Sequence, residues 1–376
     1  MSKLYDLVII GAGIAGCTLA YFTKEKDILL IDSASTPATG GSGAAGAFIS
    51  PKLGKLTPLV ELTNNAYYYS TNFYKQNFKE FFDRSGVLRI PKNKEDENNL
   101  EYYQKIIGSG EILDNKSYSK LGVKIELKSL FFKDGGVCDA QNLCMALIKN
   151  INFKQFEAKE IIKQKDNTFL IKSIDNKNYI KAQKVVLATG YKGFYNLDYM
   201  GIKGLWGSRG DFYSKDDIKV SMHQNISVSA NNKGIIKIGA THLRVKNSTN
   251  ACMLCDGKPL DKLKKEAKTI ANINNLQLKE TFCGMRASSR DYFPLIGEVI
   301  DIKFMLENYP NIKKGFNKVE LKKIENLYVF NGLGGRGFVF APLLAKWLKE
   351  FIFENKKIDK KVNSDRLFFK WVRKLK

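Results

Sequence analysis

Three glycines and one acid near the start of the chain have the types and spacing to bind a phosphate-bearing cofactor. Gly11, Gly13 and Gly16 form a G-x-G-x-x-G pattern, and Asp32 follows it. Glycines at this spacing allow a tight turn, let the backbone approach a pyrophosphate, and let a helix pack closely on a strand. The carboxylate stands where it accepts hydrogen bonds from an adenosine ribose. The pattern predicts a dinucleotide site, and both FAD and NAD(P) remain open at this point.

A strand–helix–strand unit must hold these residues. The apolar run at residues 7–10 predicts a buried parallel strand, residues 17–22 predict a helix, and residues 28–31 predict a second strand that ends at the acid. Because the phosphates would face the helix N-terminus, we expect contacts along the turn and just after the second strand. The expected contacts are Gly11, Ala12, Gly13, Ile14, Ala15, Gly16, Asp32 and Ser33.

Two later stretches extend the predicted cofactor site. Residues 33–46 are rich in small side chains and predict a loop whose backbone amides line an extended cofactor. Residues 184–189 predict a third apolar strand that ends at Gly190, after a meander of short strands at residues 157–182. A strand with this ending, placed after such a meander, is typical of FAD-binding folds and not of NAD dehydrogenases. The expected contacts are Gly41, Ser42, Gly46, Ala188, Thr189 and Gly190.

The rest of the chain contains further periodic segments that predict helices and strands. A periodic helix is expected at residues 58–82, and a second helix at residues 138–150. Further expected elements are strands at 210–213, 226–230, 234–240 and 327–331 and helices at 260–272 and 341–353.

These elements predict an α/β fold, α+β in part, with two domains. A Rossmann-like FAD-binding domain would take residues 1–83, 138–198 and 318–376. A second, mostly antiparallel-sheet substrate domain would take residues 84–137 and 199–317.

Charge is the strongest compositional signal. The 376 residues carry a formal net charge of +23, which favours a polyanionic partner such as nucleic acid. The alternative is lysine-rich coding that has no bearing on partners. No run approaches the roughly 18 apolar residues of a membrane span, and only Lys3 precedes the first core strand. We therefore expect a cytoplasmic protein without membrane contact.

The cysteines do not predict a metal site. All six are scattered, which favours a reducing compartment, and Cys252 and Cys255 have no second pair beside them. We expect a loop with two free thiols there and no bound metal.

Late motifs carry a resemblance to a known family. The stretch at 284–297, with Arg286, Asp291 and Pro294, resembles the G-x-R-P-x-x-x-D-x-x-P-x-I-G signature of the D-amino-acid oxidase superfamily. Residues 330–337 and 341–344 resemble that superfamily's second flavin turn. More narrowly, the chain resembles the oxidase half of the MnmC family, which matures the wobble uridine of tRNA. The segment at 363–375 looks like the N-P-N-R-L-W-V-R-K-L end of those enzymes, and Pro51-Lys52-Leu53 also matches.

The resemblance has departures. The chain is too short to include that family's methyltransferase half, and Gly335-Arg336-Gly337 stands where the family has Ser-Arg-Gly. Aspartate replaces glutamate at position 32.

The resemblance implies roles for particular residues. Arg286 would bind the substrate carboxylate, and Arg336 would be a second active-site arginine on the flavin-side turn. Lys237 would promote oxygen reduction, with His242 and Tyr213 as further active-site candidates. Cys283 does not match the register of covalent attachment, so FAD would be non-covalent. Flavin contacts would come from Gly334, Gly335, Arg336, Gly337 and Phe338.

The implied reaction is oxidative removal of the carboxymethyl group from 5-carboxymethylaminomethyl-(2-thio)uridine in tRNA. The products would be the 5-aminomethyl nucleoside and glyoxylate, and a separate methyltransferase could act next. Residues 356–376 contain nine Lys or Arg and two Asp, interleaved with aromatics, which favours RNA contact. The alternative for that tail is a closing helix whose aromatics pack inward. Two other functions remain open: an oxidase of small free amines of the glycine or sarcosine type, and a flavin-bearing RNA-binding protein without turnover.

Overall fold

Continuous apolar strands form the centre of the first sheet because both faces of that sheet are covered. The structure, a computed structural model, describes residues 3–193, 195, 197–243 and 257–375. Leu7 and Ile9 pack into one core with the long helices, while Val8 and Ile10 pack into a second core on the opposite face. A parallel strand buried on both sides needs apolar residues at every position, which explains this run.

Helices in the described ranges have these bounds: α1 (Ile14–Phe22), α2 (Pro58–Asn77), α3 (Lys94–Glu97), α4 (Leu100–Ile107), α5 (Asn115–Tyr118), α6 (Ala140–Leu147), α7 (Lys258–Ile270), α8 (Ile302–Asn308), α9 (Gly337–Glu354) and α10 (Phe368–Val372). No helix in this part of the chain is long and apolar enough to cross a membrane.

Strands in the same ranges are β1 (Leu4–Ile10), β2 (Ile28–Asp32), β3 (Phe48–Ile49), β4 (Phe82–Asp83), β5 (Val87–Arg89), β6 (Glu111–Leu113), β7 (Ser129–Phe132), β8 (Gly136–Cys138), β9 (Asn152–Gln155), β10 (Ala158–Lys163), β11 (Phe169–Ser173), β12 (Tyr179–Leu187), β13 (Lys203–Tyr213), β14 (Ser221–His223), β15 (Ser227–Val228), β16 (Ile235–Gly239), β17 (Gln277–Ser288), β18 (Leu295–Ile300) and β19 (Lys323–Asn331).

The first sheet has the order β10-β11-β12-β1-β2-β9, and β19 joins it by pairing with β12 and β18. Strands β12, β1, β2 and β9 run parallel, as does β19 on β12. Helices α1, α2, α6 and α9 cover one face, and α8 and α10 pack against the other face.

The second sheet has the order β17-β13-β16-β15-β14-β5-β7-β6, and only the β14–β5 pair is parallel among its described pairings. Its core is filled by α7 and by alternate strand residues such as Ile236 and Ile238. A third, three-stranded sheet has the order β3-β8-β4. The predicted α/β class with a mostly antiparallel second sheet is confirmed. The division into two domains stays a proposal, and β18, which we allotted to the substrate domain, pairs in the first sheet.

Two predicted element boundaries differ from the structure. The helix expected at 58–82 ends at Asn77, and Phe82 begins β4. The end of the expected meander, up to residue 182, and the strand expected at 184–189 form one strand, β12, which pairs with β11 through its first residues and with β19 through its last. The change from alternating to continuous apolar residues marks a change of neighbours within one strand.

Candidate active site

The glycine pattern lies where the first strand of the sheet turns into α1. Gly11 has a φ of +110°, and a Cβ on it would lie 2.4 Å from the carbonyl oxygen of Ala188. A Cβ on Gly16 would lie 1.9 Å from the carbonyl oxygen of Gly11. Only glycine fits at either place, because a side chain would push strand and helix apart.

Asp32 ends β2 with its carboxylate held in place. Its Oδ2 accepts a 2.7 Å hydrogen bond from the amide of Ala12, and its Oδ1 accepts a 2.9 Å bond from the amide of Ala34. The hydroxyl of Ser33 donates to the same oxygen at 3.4 Å. The carboxylate is half-buried, so it keeps an open side toward which a ribose hydroxyl can donate.

The small-residue loop links the glycine turn to the second sheet. The hydroxyl of Ser42 accepts a 2.9 Å hydrogen bond from the amide of Ile14, the first residue of α1. A Cβ on Gly41 would lie 2.5 Å from the carbonyl oxygen of Met285 in β17. Gly46 follows at the entry to β3, where a Cβ would lie 2.9 Å from the ring of Phe48. The loop therefore lies against both the turn and β17.

A buried arginine that the sequence analysis missed holds this loop from the other side. Arg209 of β13 pairs with Asp211, with Nε and Oδ1 2.9 Å apart, and donates from Nη1 to the carbonyl of Ala45. Its guanidinium also lies over the ring of Phe282, 3.9 Å from the centroid. The charged residue inside a buried strand was a usable signal, because buried arginine needs partners.

The end of β12 forms one wall of the same region. The amide of Ala188 donates to the carbonyl of Ile10 at 2.8 Å, and Gly190 has a φ of +61° with open space around it. The Thr189 hydroxyl is buried without a hydrogen-bond partner among the described residues. Asn331 donates from its side chain to the carbonyl of Gly190 at 2.8 Å, which ties this end to the glycine turn at residues 332–337.

Two helices begin side by side at this point. Gly13 is the N-cap of α1 and Arg336 is the N-cap of α9, so neither N-cap residue offers a side-chain acceptor, and neither first turn contains an acid. A Cβ on Gly337 would lie 3.1 Å from a methyl carbon of Ile14. Two positive helix ends in contact fit the pyrophosphate and the electron-rich pyrimidine edge of a flavin. The residues present therefore fit FAD, which would lie along the cradle formed by Gly11, Ala12, Gly13, Ile14, Ala15, Gly16, Gly334, Gly335, Gly337 and Phe338.

Arg286 is aimed at this turn by the register of two strands. It lies opposite Leu205 in the β13–β17 pair. A Cβ on Gly207 would lie 2.1 Å from its Nη2, and a Cβ on Gly335 would lie 3.7 Å from its Cδ. Glycines on both sides give the guanidinium its space beside the turn. Burial lowers the pKa of Arg286 below its ordinary value.

Backbone and histidine partners fix the Arg286 side chain. Nη1 lies 3.2 Å from the carbonyl oxygen of Thr241, to which it donates, and 3.1 Å from Nδ1 of His242. Because guanidinium has only donors, Nδ1 of His242 accepts here and the ring is neutral. Burial, and then the charge of Arg286, lower the pKa of His242. Arg286 and His242, which were predicted separately as active-site residues, thus lie in contact.

Lys237 and Tyr213 lie away from that pair. Lys237 faces Asp211 across β13–β16, and Asp211 is about 20 Å along β13 from the residue opposite Arg286. Tyr213 lies farther along the same strand and is exposed. Burial, and then the charge of Arg209, lower the pKa of Lys237. A catalytic role for Lys237 stays a prediction.

Arg336 lies on the turn between Gly334 and α9. Its Nη1 donates a 2.9 Å hydrogen bond to the carbonyl oxygen of Ser50, and burial lowers its pKa to about 10. A substrate role stays a prediction.

The C-terminal tail is fastened to the motif that carries Arg286. Arg366 holds Asp291 with two hydrogen bonds, Nε to Oδ2 at 2.9 Å and Nη2 to Oδ1 at 2.8 Å. It also donates to the carbonyls of Phe293 and Pro294 at 2.7 and 3.1 Å. Phe368 is fully buried. For Phe368 the inward-packing alternative therefore holds, and this ring is not available to RNA bases.

The cysteines give a mixed result. Cys17, Cys138 and Cys144 are free and buried, and Cys283 is disulfide-bonded, which differs from the reduced thiols expected from their scatter. The loop with Cys252 and Cys255 lies outside the described residues. In the part of the chain that is described, no group of three or more His, Cys, Asp or Glu is placed to hold a metal ion.

Comparison with known proteins agrees with this geometry. The profile of the family described as FAD dependent oxidoreductase matches residues 6–351. The chain is 24% identical, over 93% of its length and 54% of the relative's, to the tRNA 5-methylaminomethyl-2-thiouridine biosynthesis bifunctional protein MnmC of Legionella pneumophila. It spans about half the length of the curated relatives it matches.

Solved structures show the same fold. Glycine oxidase from Bacillus cereus has a TM-score of 0.75 at 19% identity, covering 94% of this chain and 96% of that one. L-proline dehydrogenase from P. horikoshii has a TM-score of 0.74 at 16% identity, covering 95% of each chain. With the profile matching most of its length and a cradle that fits the cofactor, the chain belongs to the FAD-dependent oxidoreductase family.

Proposed function

We propose that this enzyme oxidises the carboxymethylaminomethyl group of 5-carboxymethylaminomethyl-(2-thio)uridine at the wobble position of tRNA. The products are the 5-aminomethyl nucleoside and glyoxylate. The observation that carries the proposal is the Arg286 guanidinium, which lies beside the turn at Gly335 and has no carboxylate partner among the described residues.

The modified group is a glycine attached to the base through its nitrogen. Arg286 would grip its carboxylate with two parallel N–H donors and so orient the methylene carbon. FAD, when bound, supplies the two-electron oxidant that takes hydride from this carbon. As that C–H bond breaks, the nitrogen lone pair forms a C=N bond, which water splits into the amine and glyoxylate. The two electrons pass finally to oxygen, which becomes hydrogen peroxide.

The chain's own residues would position the substrate without changing their protonation states. Neutral His242 and the Thr241 carbonyl hold the Arg286 side chain, so the guanidinium is preorganised before substrate arrives. The substrate amine must be neutral for its lone pair to assist, and no acid–base pair is required.

Support for tRNA comes from two sources. The curated relatives carry names for biosynthesis of a modified thiouridine in tRNA, and the net charge is +23. Exposed Lys370, Arg373 and Lys374 on the tail provide candidate phosphate contacts. The product amine would be a substrate for a separate methyltransferase, and the reaction would take place in the cytoplasm.

A small free amine such as glycine or sarcosine is the second candidate. It is favoured by the fact that Arg286 needs only a carboxylate, whatever the amine carries. A flavin-bearing RNA-binding protein without turnover would leave Arg286 without a ligand.

The test is to incubate the purified flavoprotein with tRNA that carries the carboxymethylaminomethyl group, and separately with glycine and sarcosine. We expect the nucleoside to lose the carboxymethyl mass and the flavin to bleach only with tRNA. Bleaching by glycine with unchanged tRNA would refute the proposal in favour of the second candidate.

Arg286→Ala should lower kcat/KM at least about a hundredfold, because a bidentate charged contact is lost. Arg290→Ala is the matched control, since Arg290 is exposed four residues later in the same motif. Full activity of Arg286→Ala would remove the carboxylate role.

A further inference from the structure

A second group of cations lies near the flavin turn, formed by Lys52, Arg89 and Arg336. We call it the cation cluster. Arg336 donates to the carbonyl of Ser50, two residues before Lys52. The backbone of Lys52 is fixed by Asn64, whose side-chain oxygen accepts from the Lys52 amide at 2.8 Å. A Cβ on Gly135 would lie 2.9 Å from Val87, two residues before Arg89, and 3.0 Å from the carbonyl oxygen of Ile49, so β5 adjoins the segment that contains Ser50 and Lys52.

Arg89 comes to the cluster on β5 of the second sheet. It lies opposite Leu130 in the β5–β7 pair and opposite His223 in the parallel β5–β14 pair. Its Nε and Nη1 atoms are buried, and neither has a hydrogen-bond partner among the described residues. A buried donor without a partner destabilises the fold, and more strongly when it is charged.

A buried guanidinium ordinarily pairs with a carboxylate or another anion. In the described part of the chain, Arg84, Arg209 and Arg366 all have carboxylate partners within 4.0 Å, whereas Arg89 and Arg336 have none. The one acid whose charge raises the pKa of Arg89 among the described residues is Asp96. Its carboxylate, however, already accepts hydrogen bonds from the hydroxyl of Tyr103 and the amide of Lys92, at 2.8 and 3.1 Å.

Electrostatics agree with this arrangement. Burial, and then the charge of Arg336, lower the pKa of Arg89 to about 9. Burial lowers the pKa of Lys52 too, and Arg336 and Arg89 lower it further. Each cation is therefore destabilised by dehydration and by its neighbours, and a bound anion would relieve both effects.

The cluster is a separate centre from Arg286. The guanidinium of Arg286 is held by Thr241 and His242, which follow β16, whereas Arg336 donates to the carbonyl oxygen of Ser50, which follows β3. The site thus offers two anion-binding centres. Glycine and sarcosine carry one carboxylate, whereas a carboxymethylaminomethyl nucleotide within RNA carries a carboxylate and neighbouring phosphates.

We propose that Lys52, Arg89 and Arg336 form a phosphate subsite, which holds a backbone phosphate next to the nucleotide whose carboxylate lies on Arg286. This inference rests on the proposed function for the identity of the ligand. The subsite would make the enzyme prefer an RNA strand to a free nucleoside.

The first experiment measures binding without turnover. Thermal unfolding of the holoenzyme is followed with inorganic phosphate, and with chloride at equal ionic strength, for wild type and for Arg89→Gln. Phosphate should raise the Tm of the wild type and should have little effect on Arg89→Gln. Without phosphate, Arg89→Gln should unfold no earlier than wild type, because an unpaired buried charge has been removed. Arg84→Gln is the matched control, since Arg84 pairs with Asp134 at the surface, and it should keep the phosphate response.

The second experiment compares kcat/KM for the modified nucleoside and for a trinucleotide centred on it. Wild type and Arg84→Gln should prefer the trinucleotide at least about tenfold, equal to about 1.4 kcal/mol. In Arg89→Gln this ratio should fall toward one, mainly through KM.

The outcomes separate the two proposals. If phosphate stabilises wild type but not Arg89→Gln while no RNA substrate is oxidised, the proposed function fails and the phosphate subsite stands. If phosphate leaves the wild-type Tm unchanged, or if Arg89→Gln keeps the full trinucleotide preference, the subsite is refuted. An early-unfolding Arg89→Gln with an unchanged ratio would assign Arg89 a structural role instead.

Discussion

The Nη1 atom of Arg286 lies 3.1 Å from Nδ1 of His242, so the one histidine at the candidate site is an acceptor and is neutral. Nδ1 has no proton to give in this contact, and the proton of the ring is on Nε2. The pair joins β17 to the segment that follows β16. Protonation of the ring would replace a hydrogen bond by the contact of two cations.

This relationship predicts how stability depends on pH. The pKa of His242 is lowered in the folded protein by burial and by Arg286, so the unfolded chain binds its proton more readily. The stabilisation is present above the ordinary value of about 6.5 and is lost as the pH falls through the lowered value. His242→Gln keeps an acceptor and cannot titrate. The Tm of wild type should therefore fall more than that of the variant between about pH 7 and about pH 5. Parallel Tm curves would contradict this account.

Gly16→Ala should abolish FAD retention. The new Cβ would meet the carbonyl oxygen of Gly11 at 1.9 Å, and α1 would have to move away from the glycine turn. We expect a purified protein whose flavin-to-protein absorbance ratio falls at least about tenfold. The matched control is Gly40→Ala, where a Cβ meets nothing within 4 Å. Its flavin-to-protein absorbance ratio should equal that of the wild type. Normal flavin content in Gly16→Ala would show that the close approach of α1 to the glycine turn is not needed for FAD binding.

The Arg366–Asp291 pair should be a main support of the tail. Arg366→Ala leaves a half-buried carboxylate and several carbonyls without their charged donor, which should cost about 2–3 kcal/mol of unfolding free energy. Arg366→Lys should recover only part of this, because the two-pronged contact is lost. Denaturant unfolding measures both changes. An exposed substitution in the same tail, Arg373→Ala, should leave the midpoint in place.

The same pair predicts a loss of stability in acid. Burial alone would raise the pKa of Asp291, but the hydrogen bonds and charge of Arg366 outweigh it and hold the pKa below its usual value. The stabilisation is complete above about pH 4 and is lost as the pH falls through the lowered pKa. Asp291→Asn should flatten the decline below about pH 4 in a thermal scan, and an unchanged decline would show that other carboxylates cause it.

Exposed cations of the tail should contribute to tRNA affinity. Replacing Lys370, Arg373 and Lys374 by alanine should weaken tRNA binding and reduce the slope of log K against log salt by about 2–3, since each phosphate contact contributes about 0.7–0.9. Fluorescence anisotropy across a salt series measures both quantities.

A matched control changes the same charge elsewhere. Lys159, Lys165 and Lys177 are exposed on the β10–β12 meander, and their alanine triple should keep the wild-type salt slope. Equal effects of the two triples would mean that net charge alone attracts the RNA.

Local patterns predicted the cofactor half of the molecule well. Gly16 and Asp32 are constrained by neighbours close in sequence, so their spacing alone indicates a close helix and a fixed acid. Gly11 forms the turn with a positive φ, but the carbonyl oxygen that excludes a side chain there belongs to the distant Ala188. The Arg286 motif was identified by resemblance, but its contact with His242 depends on how β13, β16 and β17 pair. That pairing joins residues far apart in the chain and has no local signature.

The cation cluster shows the limit of sequence reasoning more sharply. Lys52, Arg89 and Arg336 come from three distant segments, and nothing in any one segment reveals the other two. Arg89 alone carried a weak local signal of a buried charge, because it is a charged residue within the otherwise apolar residues 87–90. The tail shows the same limit. Phe368 and Arg366 look available in a basic stretch, but tertiary packing against the first sheet and Asp291 uses both.

The isolated bridge between Ser288 and Leu333 closes the gap between β17 and the flavin turn. Because strand side chains alternate between faces, a single inserted residue between Arg286 and this bridge would turn the guanidinium to the opposite side of the sheet. The single residue between Arg286 and Ser288, Ala287, therefore fixes the side of the sheet on which the guanidinium lies. In relatives, insertions and deletions should be absent from this interval and frequent in the exposed meander. A sequence alignment of the family would show this difference.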